Sequence, residues 1–512
     1  MARFIVAHRL ANRSADASRS NFEAASSKLR SFADVKVAAR PSPGGRGLMV
    51  IDTDSADLSR KAREFSPDVI TEPELQRYPS TTVGAALRGG PGDTAVPAGM
   101  GTSVQITVRQ DSAPVAGALS ALSVRNRMTG ASASVVVTTD DDGAASFQYD
   151  ATFWVPVMMT VNPVSGAWPV FVASPGANVQ IDVPPLPRTG PLGWWHRALG
   201  INAFDATTGS GIRVGVADTG VSDHPYLAHV QNIGAFVDGA HDTSPGAGAD
   251  VENHGTHVTG IIGARPPAGS TDFGGIAPGA EILAARVYQR SPGTTGPQGL
   301  RATNGDIALA IDTFVESNVN LINLSLGGFQ SSLIELDAIQ HAMEKGVLTI
   351  CSAGNEMGGP VTFPAAYRET LAVSAVGMPW TFPAAGVDAL TVPSSLDRYS
   401  SLGLYCPSFV SVGPAVNCTG PGVAIISTVP GAANGGPPYA AMSGTSMAAP
   451  SVCAALATVL SRDPEFAKAP PTVDKVARAV RWLIATVRNL GLRPDFAGLG
   501  LPAGLAGANR PA

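Results

Sequence analysis

Residues 212–220 read IRVGVADTG. After Arg213 the run is apolar on consecutive positions, without the alternation of a half-exposed strand, and it stops at Asp218, where Thr219 and Gly220 turn the chain away. An unbroken short apolar run closed by a turn is what a strand buried on both faces looks like. The pattern recurs downstream, with strand-like runs at EILAARV (281–287), NLINLSL (320–326), VLTICSAGN (347–355) and LAVSAVG (371–377). Helical stretches separate them, after HGTH (254–257), near 305–317 and near 332–345. Strand and helix in alternation imply a parallel sheet with helices on both faces, an α/β fold. In such sheets the functional side chains gather at the carboxyl ends of the strands.

The chain has 512 residues, so two to four domains are expected, and 44% hydrophobic residues suffice to fill their cores. A net charge of −5 spread over that length offers no broad basic face, which argues against nucleic acid and anionic membrane as partners. No apolar run of 18 residues is present to form a transmembrane segment. The first residues, MARFIVAHRLANRSADAS, contain one short apolar run broken by His8 and Arg9, so no secretory signal is expected there. Localisation is unassigned: cytoplasmic by default, with export by another route or from an upstream start as alternatives. Cys351 and Cys453 sit in apolar runs and read as buried thiols. Cys406 and Cys418 flank one irregular segment and pair only if the chain meets an oxidising compartment.

Two smaller units precede the large one. Residues 1–80 alternate short strands (RFIVAHR, LMVI, DVIT) with helical stripes at Phe22, Ala25, Leu29 and Phe32 and at Leu58, Ala62 and Phe65, a βαββαβ order compatible with a small α+β, ferredoxin-like sandwich. Residues 98–183 switch to a period of two, with turn clusters QDSAP and DDDG, and predict a β-sandwich. Asp140, Asp141 and Asp142 lack the ligand alternation of a calcium loop and are expected in a hairpin turn. Residues 184–193 are a proline-stiffened linker, and 194–512 form the large unit.

Three polar residues stand where the site is expected. Asp218 closes a strand, His254 precedes a helix of small residues in NHGTHVTGIIGA, and Ser446 opens another helix in SGTSMAAP. A hydroxyl, an imidazole and a carboxylate are what acyl transfer requires, because serine is a weak nucleophile until a base takes its proton and a third group holds that base. Each also has a plainer reading: Asp218 as a turn residue, His254 with His257 as a metal pair, Ser446 as a helix cap. Pro450 has no N–H to bond the Ser446 carbonyl, so regular helix bonding begins near that serine and its own N–H is free to face a substrate oxyanion.

Taken together, ADTG, HGTHVTG and SGTSMAAP, in the order Asp, His, Ser, resemble the motifs of the subtilisin-like serine proteases. The intervening GIAPGAEILAARV, INLSLGG and SAGNE resemble the segments that family carries there, and the likeness spans roughly residues 205–462. It implies a serine endopeptidase in which Ser446 is the nucleophile, His254 the base and Asp218 the orienting acid. Asn355 and the Ser446 amide then form the oxyanion hole, and Ser325, Leu326, Gly327 and Gly328 bind the substrate main chain, in protein or peptide substrates. Thr362 stands where a glycine commonly floors the pocket for the residue before the cut, and Glu356 at its rim. His257, Ser443 and Ser451 are left to packing or capping. The family's usual calcium site is not expected, since Tyr226 follows His224 and Pro225 where a carboxylate ligand normally stands; calcium at another site stays open, and no other cofactor is implied. Residues 1–80 are similar in pattern to the family's inhibitory propeptide, with ITEPELQRYPS (70–80) as the tail in the active site, which implies a zymogen with its own N-terminal unit as intramolecular inhibitor. The segment 98–183 more faintly resembles carboxypeptidase-regulatory-like or Ig-like sandwiches. The competing expectation is a binding or structural protein whose protease fold only processes itself or is a relic.

Overall fold

In the computed structural model Arg213–Asp218 lies in the interior of an eight-stranded sheet. The model describes residues 2–80, 102–291, 299–431 and 438–503, apart from 12–14, 31–33, 40–45, 55–57, 59–60 and 62–64. The strands run in the order Ala240–Asp242, Gln231–Val237, Glu281–Arg286, Arg213–Asp218, Leu321–Leu324, Leu348–Ser352, Thr370–Val376 and Cys418–Pro421. All adjacent pairs are parallel except the first, an antiparallel hairpin at the edge. Alternate side chains of each strand serve opposite cores. Val214, Val216, Leu321 and Ile350 pack with the helices His254–Gly263 and Thr445–Leu460. Ala217, Leu283, Ile322 and Leu324 pack with Asn304–Glu316 and Leu333–Glu344 on the other face. Burial on both sides accounts for the unbroken apolar runs.

The N-terminal sheet has the order Asp34–Ala39, Leu48–Thr53, Ala2–His8, Val69–Pro73, all antiparallel, the ferredoxin-like arrangement. Phe4, Val6, Met49 and Ile51 face the helix Ala15–Leu29 through Phe22, Ala25 and Leu29. Ile5, Ala7, Leu48, Val50 and Ile70, on the opposite face, join the core beneath Asn304–Glu316 and Leu333–Glu344. This sheet therefore covers two helices of the large unit, as a period of two allows. The approach is close: a Cβ on Gly305 would stand 2.8 Å from Ile5 Cδ1. Of the second expected helical stripe, Leu58 and Phe65 join the core around Phe22, and Ala62 lies outside the described residues.

A buried ion cluster pins the same contact. The Arg46 guanidinium donates to Asp312 Oδ2, Asp337 Oδ2 and the His8 carbonyl, each at 2.8 Å. Burial and the neighbouring Arg46 charge push the His8 imidazole down to about 4.

Residues 102–182 form two facing sheets. One contains Ala144–Tyr149, Thr102–Gln110 and Asn178–Asp182; the other Val170–Ala173, Trp154–Asn162, Leu119–Asn126 and Ser132–Thr138. The turn at 140–143 is held locally, Asp140 Oδ1 accepting from the amides of Asp142 (3.1 Å) and Ala144 (2.8 Å). Gly143 has φ +73°, and a Cβ there would meet the Val108 carbonyl at 2.4 Å, so the turn requires glycine. The sandwich rests on the large unit through Gly166 N–H to the Tyr439 carbonyl (2.7 Å) and Phe171 N–H to the Ala385 carbonyl (3.0 Å). The proline-rich stretch between them lies against 271–274, with Gly190 N–H on the Thr271 carbonyl at 2.7 Å.

Candidate active site

Asp218 ends its strand and His254 begins its helix, and their side chains meet: His254 Nδ1 donates to Asp218 Oδ1 at 2.6 Å, both groups buried. The same carboxylate oxygen accepts the Thr219 amide at 2.7 Å. Asp250 ties the two segments together. It accepts Thr219 Oγ1 (2.7 Å) on one oxygen and Thr256 N and Oγ1 (2.8 and 2.6 Å) on the other. Gly255 N–H in turn donates to Thr219 Oγ1 at 2.7 Å. With Nδ1 engaged, Nε2 of His254 is left as the proton acceptor, and it has no hydrogen-bond partner among the described residues. Burial alone would lower the imidazole pKa, but the Asp218 carboxylate, assisted by Glu252 and Asp250, raises it above its ordinary value.

Ser446 is the second residue of Thr445–Leu460, a helix that carries Pro450 inside its first turns. Its hydroxyl donates to the Ser325 carbonyl at 3.0 Å rather than to His254. Asn355 follows the strand Leu348–Ser352, and its Oδ1 accepts Thr445 N (3.1 Å) and Thr445 Oγ1 (3.0 Å). Those bonds aim the amide nitrogen into the cleft.

What lies there is the chain's own residue 80. The Ser80 carbonyl accepts from Asn355 Nδ2 at 2.6 Å and from the Ser446 amide at 3.2 Å. The strand Gln76–Pro79 leads up to it, running antiparallel between Leu300–Thr303 and Leu326–Gly327. Ala302 pairs with Arg77, Gly327 with Tyr78 and Leu326 with Pro79, while Ser80 N–H reaches the Ser325 carbonyl at 3.4 Å. Glu72, further back, caps the helix Leu333–Glu344 from outside it. Its carboxylate accepts Leu333 N (2.7 Å), Ile334 N (3.2 Å) and Ser332 Oγ (2.5 Å), and also Asn304 Nδ2 (2.8 Å).

A family model described as the subtilase family matches residues 209–493. The chain belongs to that family. Subtilisin Savinase of Lederbergia lenta is 32% identical over 259 residues, 51% of this chain and 80% of that protein. A thermophilic serine proteinase of Bacillus sp. (strain AK1) is 37% identical over 263 residues, 51% of this chain and 54% of its own length. Fervidolysin from Fervidobacterium pennivorans, described as a keratinolytic enzyme related to subtilisin, superposes with a TM-score of 0.59 at 21% identity. The match covers all of this chain and 62% of fervidolysin, and it speaks to fold alone. This subtilase is a serine endopeptidase with an α/β, subtilisin-like sheet preceded by smaller sheets.

The residues singled out in the sequence converge on one cleft. Asn355 and the Ser446 amide hold the Ser80 carbonyl, Asp218 and His254 are bonded to each other, and Leu326 and Gly327 pair with the bound strand. His257 turns away, its Nε2 within 3.0 Å of the Ile425 carbonyl and 3.1 Å of the Ala440 carbonyl, and burial pushes it down to about 3. Ser443 bonds to Asp388, and Ser451 to the Met447 carbonyl. Thr362 is buried under the cleft floor; a Cβ on Gly327 would stand 2.3 Å from its hydroxyl and one on Gly354 2.9 Å. The Glu356 amide reaches Ser411 Oγ at 3.3 Å on the following loop. Cys406 and Cys418 are not paired: both are free and buried, and burial pushes each thiol up to about 12. At the calcium position the Tyr226 hydroxyl donates to Asp272 at 2.7 Å, and among the described residues no group of three or more His, Cys, Asp or Glu is placed to hold an ion. No helix is long and apolar enough to cross a membrane among the described residues.

Sequence patterns did not reveal Asp250, Glu335 or the strand Leu300–Thr303. Each has a partner distant in the chain, Thr219 for Asp250, Arg77 for Glu335 and Gln76–Pro79 for the strand, and none sits in a run of distinctive composition.

Proposed function

We propose that this subtilase is made as a zymogen that cuts its own Ser80–Thr81 bond, and that residues 1–80 then remain as its inhibitor. The observation carrying this is the Ser80 carbonyl held by two N–H donors, Asn355 Nδ2 and the Ser446 amide, at the end of a strand paired into the cleft. Such a pair of donors suits the negative charge that develops on a carbonyl oxygen under nucleophilic attack. The Ser446 hydroxyl swings from Ser325 to His254 Nε2, gives up its proton and bonds to the Ser80 carbonyl carbon. Asp218 holds the imidazole in the required tautomer and stabilises its charged form. His254 returns the proton to the departing amine of residue 81, leaving an ester between Ser446 and Ser80. Water, activated by the same imidazole, then releases the carboxylate. The same steps serve protein and peptide substrates in trans, with Ser325 to Gly328 pairing to the substrate main chain.

Inhibition after the cut is supported by contacts that do not depend on the scissile bond: the apolar face of Ile5, Ala7, Leu48, Val50 and Ile70, the Arg46 cluster, and the Glu72 cap. The working division of the chain is thus 1–80 inhibitor, 98–183 sandwich, 184–193 linker and 194–512 catalytic unit. A serine-directed fluorophosphonate probe and intact mass measurement test the proposal together. A fragment ending at Ser80, absent in Ser446→Ala, is expected, with Ser446 as the labelled residue once that fragment is displaced. A chain that stays uncut and unlabelled under conditions where the Ser446→Ala variant behaves identically would overturn it.

A further inference from the structure

Arg77 is the fourth residue before the Ser80–Thr81 bond, and it is the largest fully buried side chain among the described residues, at 1% exposure. Its neighbours along the strand differ: Gln76 is exposed and Tyr78 half-buried, as alternation on a paired strand requires. The guanidinium meets Glu335 edge to edge, Nε to Oε1 at 2.9 Å and Nη2 to Oε2 at 2.6 Å. Nη2 also donates to the Gln330 carbonyl at 2.9 Å. Room for the group comes from Gly328, where a Cβ would stand 2.9 Å from Nη1. Glu335 is fully buried, and Arg77 is its only ion-pair partner among the described residues.

Glu335 and Gln330 belong to the catalytic unit, whereas Arg77 belongs to the segment that leaves. Resting on the proteolytic reading above, we infer that the cleft selects protein and peptide substrates with arginine as the fourth residue before the cut, and that Glu335 is the residue that reads it. When the tail departs, Glu335 stays in the wall of the subsite. A substrate with an apolar side chain there leaves a desolvated carboxylate unpaired, which costs far more than a lost surface contact. Sites built around a buried polar group reject ligands that fail to satisfy it more strongly than apolar pockets reject a poor fit. Lysine cannot reproduce the two parallel N–H bonds, so it is discriminated against as well.

The test uses the self-cleaved chain with its 1–80 fragment displaced, and the internally quenched peptides RYPSTT, KYPSTT and LYPSTT, which differ only at the fourth residue before the cut. The arginine peptide is expected to exceed the leucine peptide in kcat/KM by about 30-fold or more, the lower end of what one partner of a buried charge pair contributes. Lysine should fall between. In Glu335→Gln, which keeps the side-chain volume, the arginine-to-leucine ratio should collapse to within about threefold. To guard against a folding defect, Glu335→Arg is read by its preference for EYPSTT over RYPSTT, and Arg77→Glu with Glu335→Arg by restored self-cleavage. Equal cutting of the arginine and leucine peptides by wild type, or a ratio that survives in Glu335→Gln, overturns the inference while leaving proteolysis intact. If Ser446 takes no fluorophosphonate label and no peptide is cut, the proteolytic reading fails and the inference falls with it.

Discussion

Replacing Asn355 by leucine should separate the oxyanion donors from the rest of the machinery. In the structure two N–H groups converge on the Ser80 oxygen, Asn355 Nδ2 at 2.6 Å and the Ser446 amide at 3.2 Å. The substitution removes the shorter of the two, and leaves the imidazole, its carboxylate and the Ser446 amide in place. Losing one such donor costs about 10²–10³ in kcat, or about 3–4 kcal/mol, a range established on a subtilisin itself and carried over rather than worked out from these distances. Leucine also strands the Thr445 amide and hydroxyl, which donate to Asn355 Oδ1. That loss falls on stability, at about 1–3 kcal/mol per buried group left unsatisfied. The assay is the first-order conversion of full-length chain to the N-terminal fragment, followed by intact mass, beside a thermal melt of the same sample. A self-cleavage rate constant roughly 100-fold or more below wild type, with a folded melt, is the expected result. A slowing of less than about tenfold would show that the Asn355 amide is not a transition-state donor. A fragment ending at a residue other than Ser80 would refute the register of the bound strand.

Further outcomes follow from other contacts. His254 works as a base when neutral, and Asp218 holds its pKa above the ordinary 6.5, so activity should fall as pH drops through that raised value. Asp218→Asn removes the anion and leaves burial dominant, so the acid limb of the rate profile should move to lower pH while the plateau falls by about 10⁴. Glu72→Ala, in the uncut Ser446→Ala chain, should speed hydrogen exchange at the Leu333 and Ile334 amides and lower stability by about 1–3 kcal/mol. Arg46→Met should cost about 3–5 kcal/mol at neutral pH, because, among the described residues, it leaves buried Asp312 paired only with His341 at 3.4 Å and buried Asp337 only with Arg9 at 3.8 Å. Burial opposes ionisation of Asp312, but Arg46 and His341 hold its carboxyl below the ordinary 3.8. The stability from that pairing is present above 3.8 and lost as pH falls through the depressed value, so urea melts of Arg46→Met and its parent should converge in strong acid.

The large unit was legible in the order of its residues because its information is local. Strands buried on both faces must be apolar at every position, so IRVGVAD and LINL announce a parallel sheet without reference to anything distant. The groups proposed to perform acyl transfer sit at strand ends and helix starts, where a short motif such as SGTSMAAP carries both the turn and the proposed nucleophile. Asp218, His254, Asn355 and Ser446 could therefore be picked out together, through the set of motifs that hold them, although only the folded chain joins Asp218 to His254 and brings Asn355 and the Ser446 amide to one carbonyl.

The rest belonged to contacts between distant segments. The expected bond between the Ser446 hydroxyl and His254 is replaced by one to Ser325, a choice of rotamer that no sequence pattern encodes. The spacing of Cys406 and Cys418 left a disulfide open, and in the fold both are free thiols buried in the core. ITEPELQRYPS was recognisable as a tail, but its register in the cleft comes from Glu72 on one helix end, Arg77 on Glu335 and Ser80 between two donors, partners more than 200 positions away. By itself the sequence determined the sheet, its helices and the chemical types at the strand ends, since periodicity and burial are properties of neighbours along the chain. Only the tertiary structure decided which carbonyl lies in the cleft and which carboxylate holds Arg77, since a buried charge is specified by its partner across the fold.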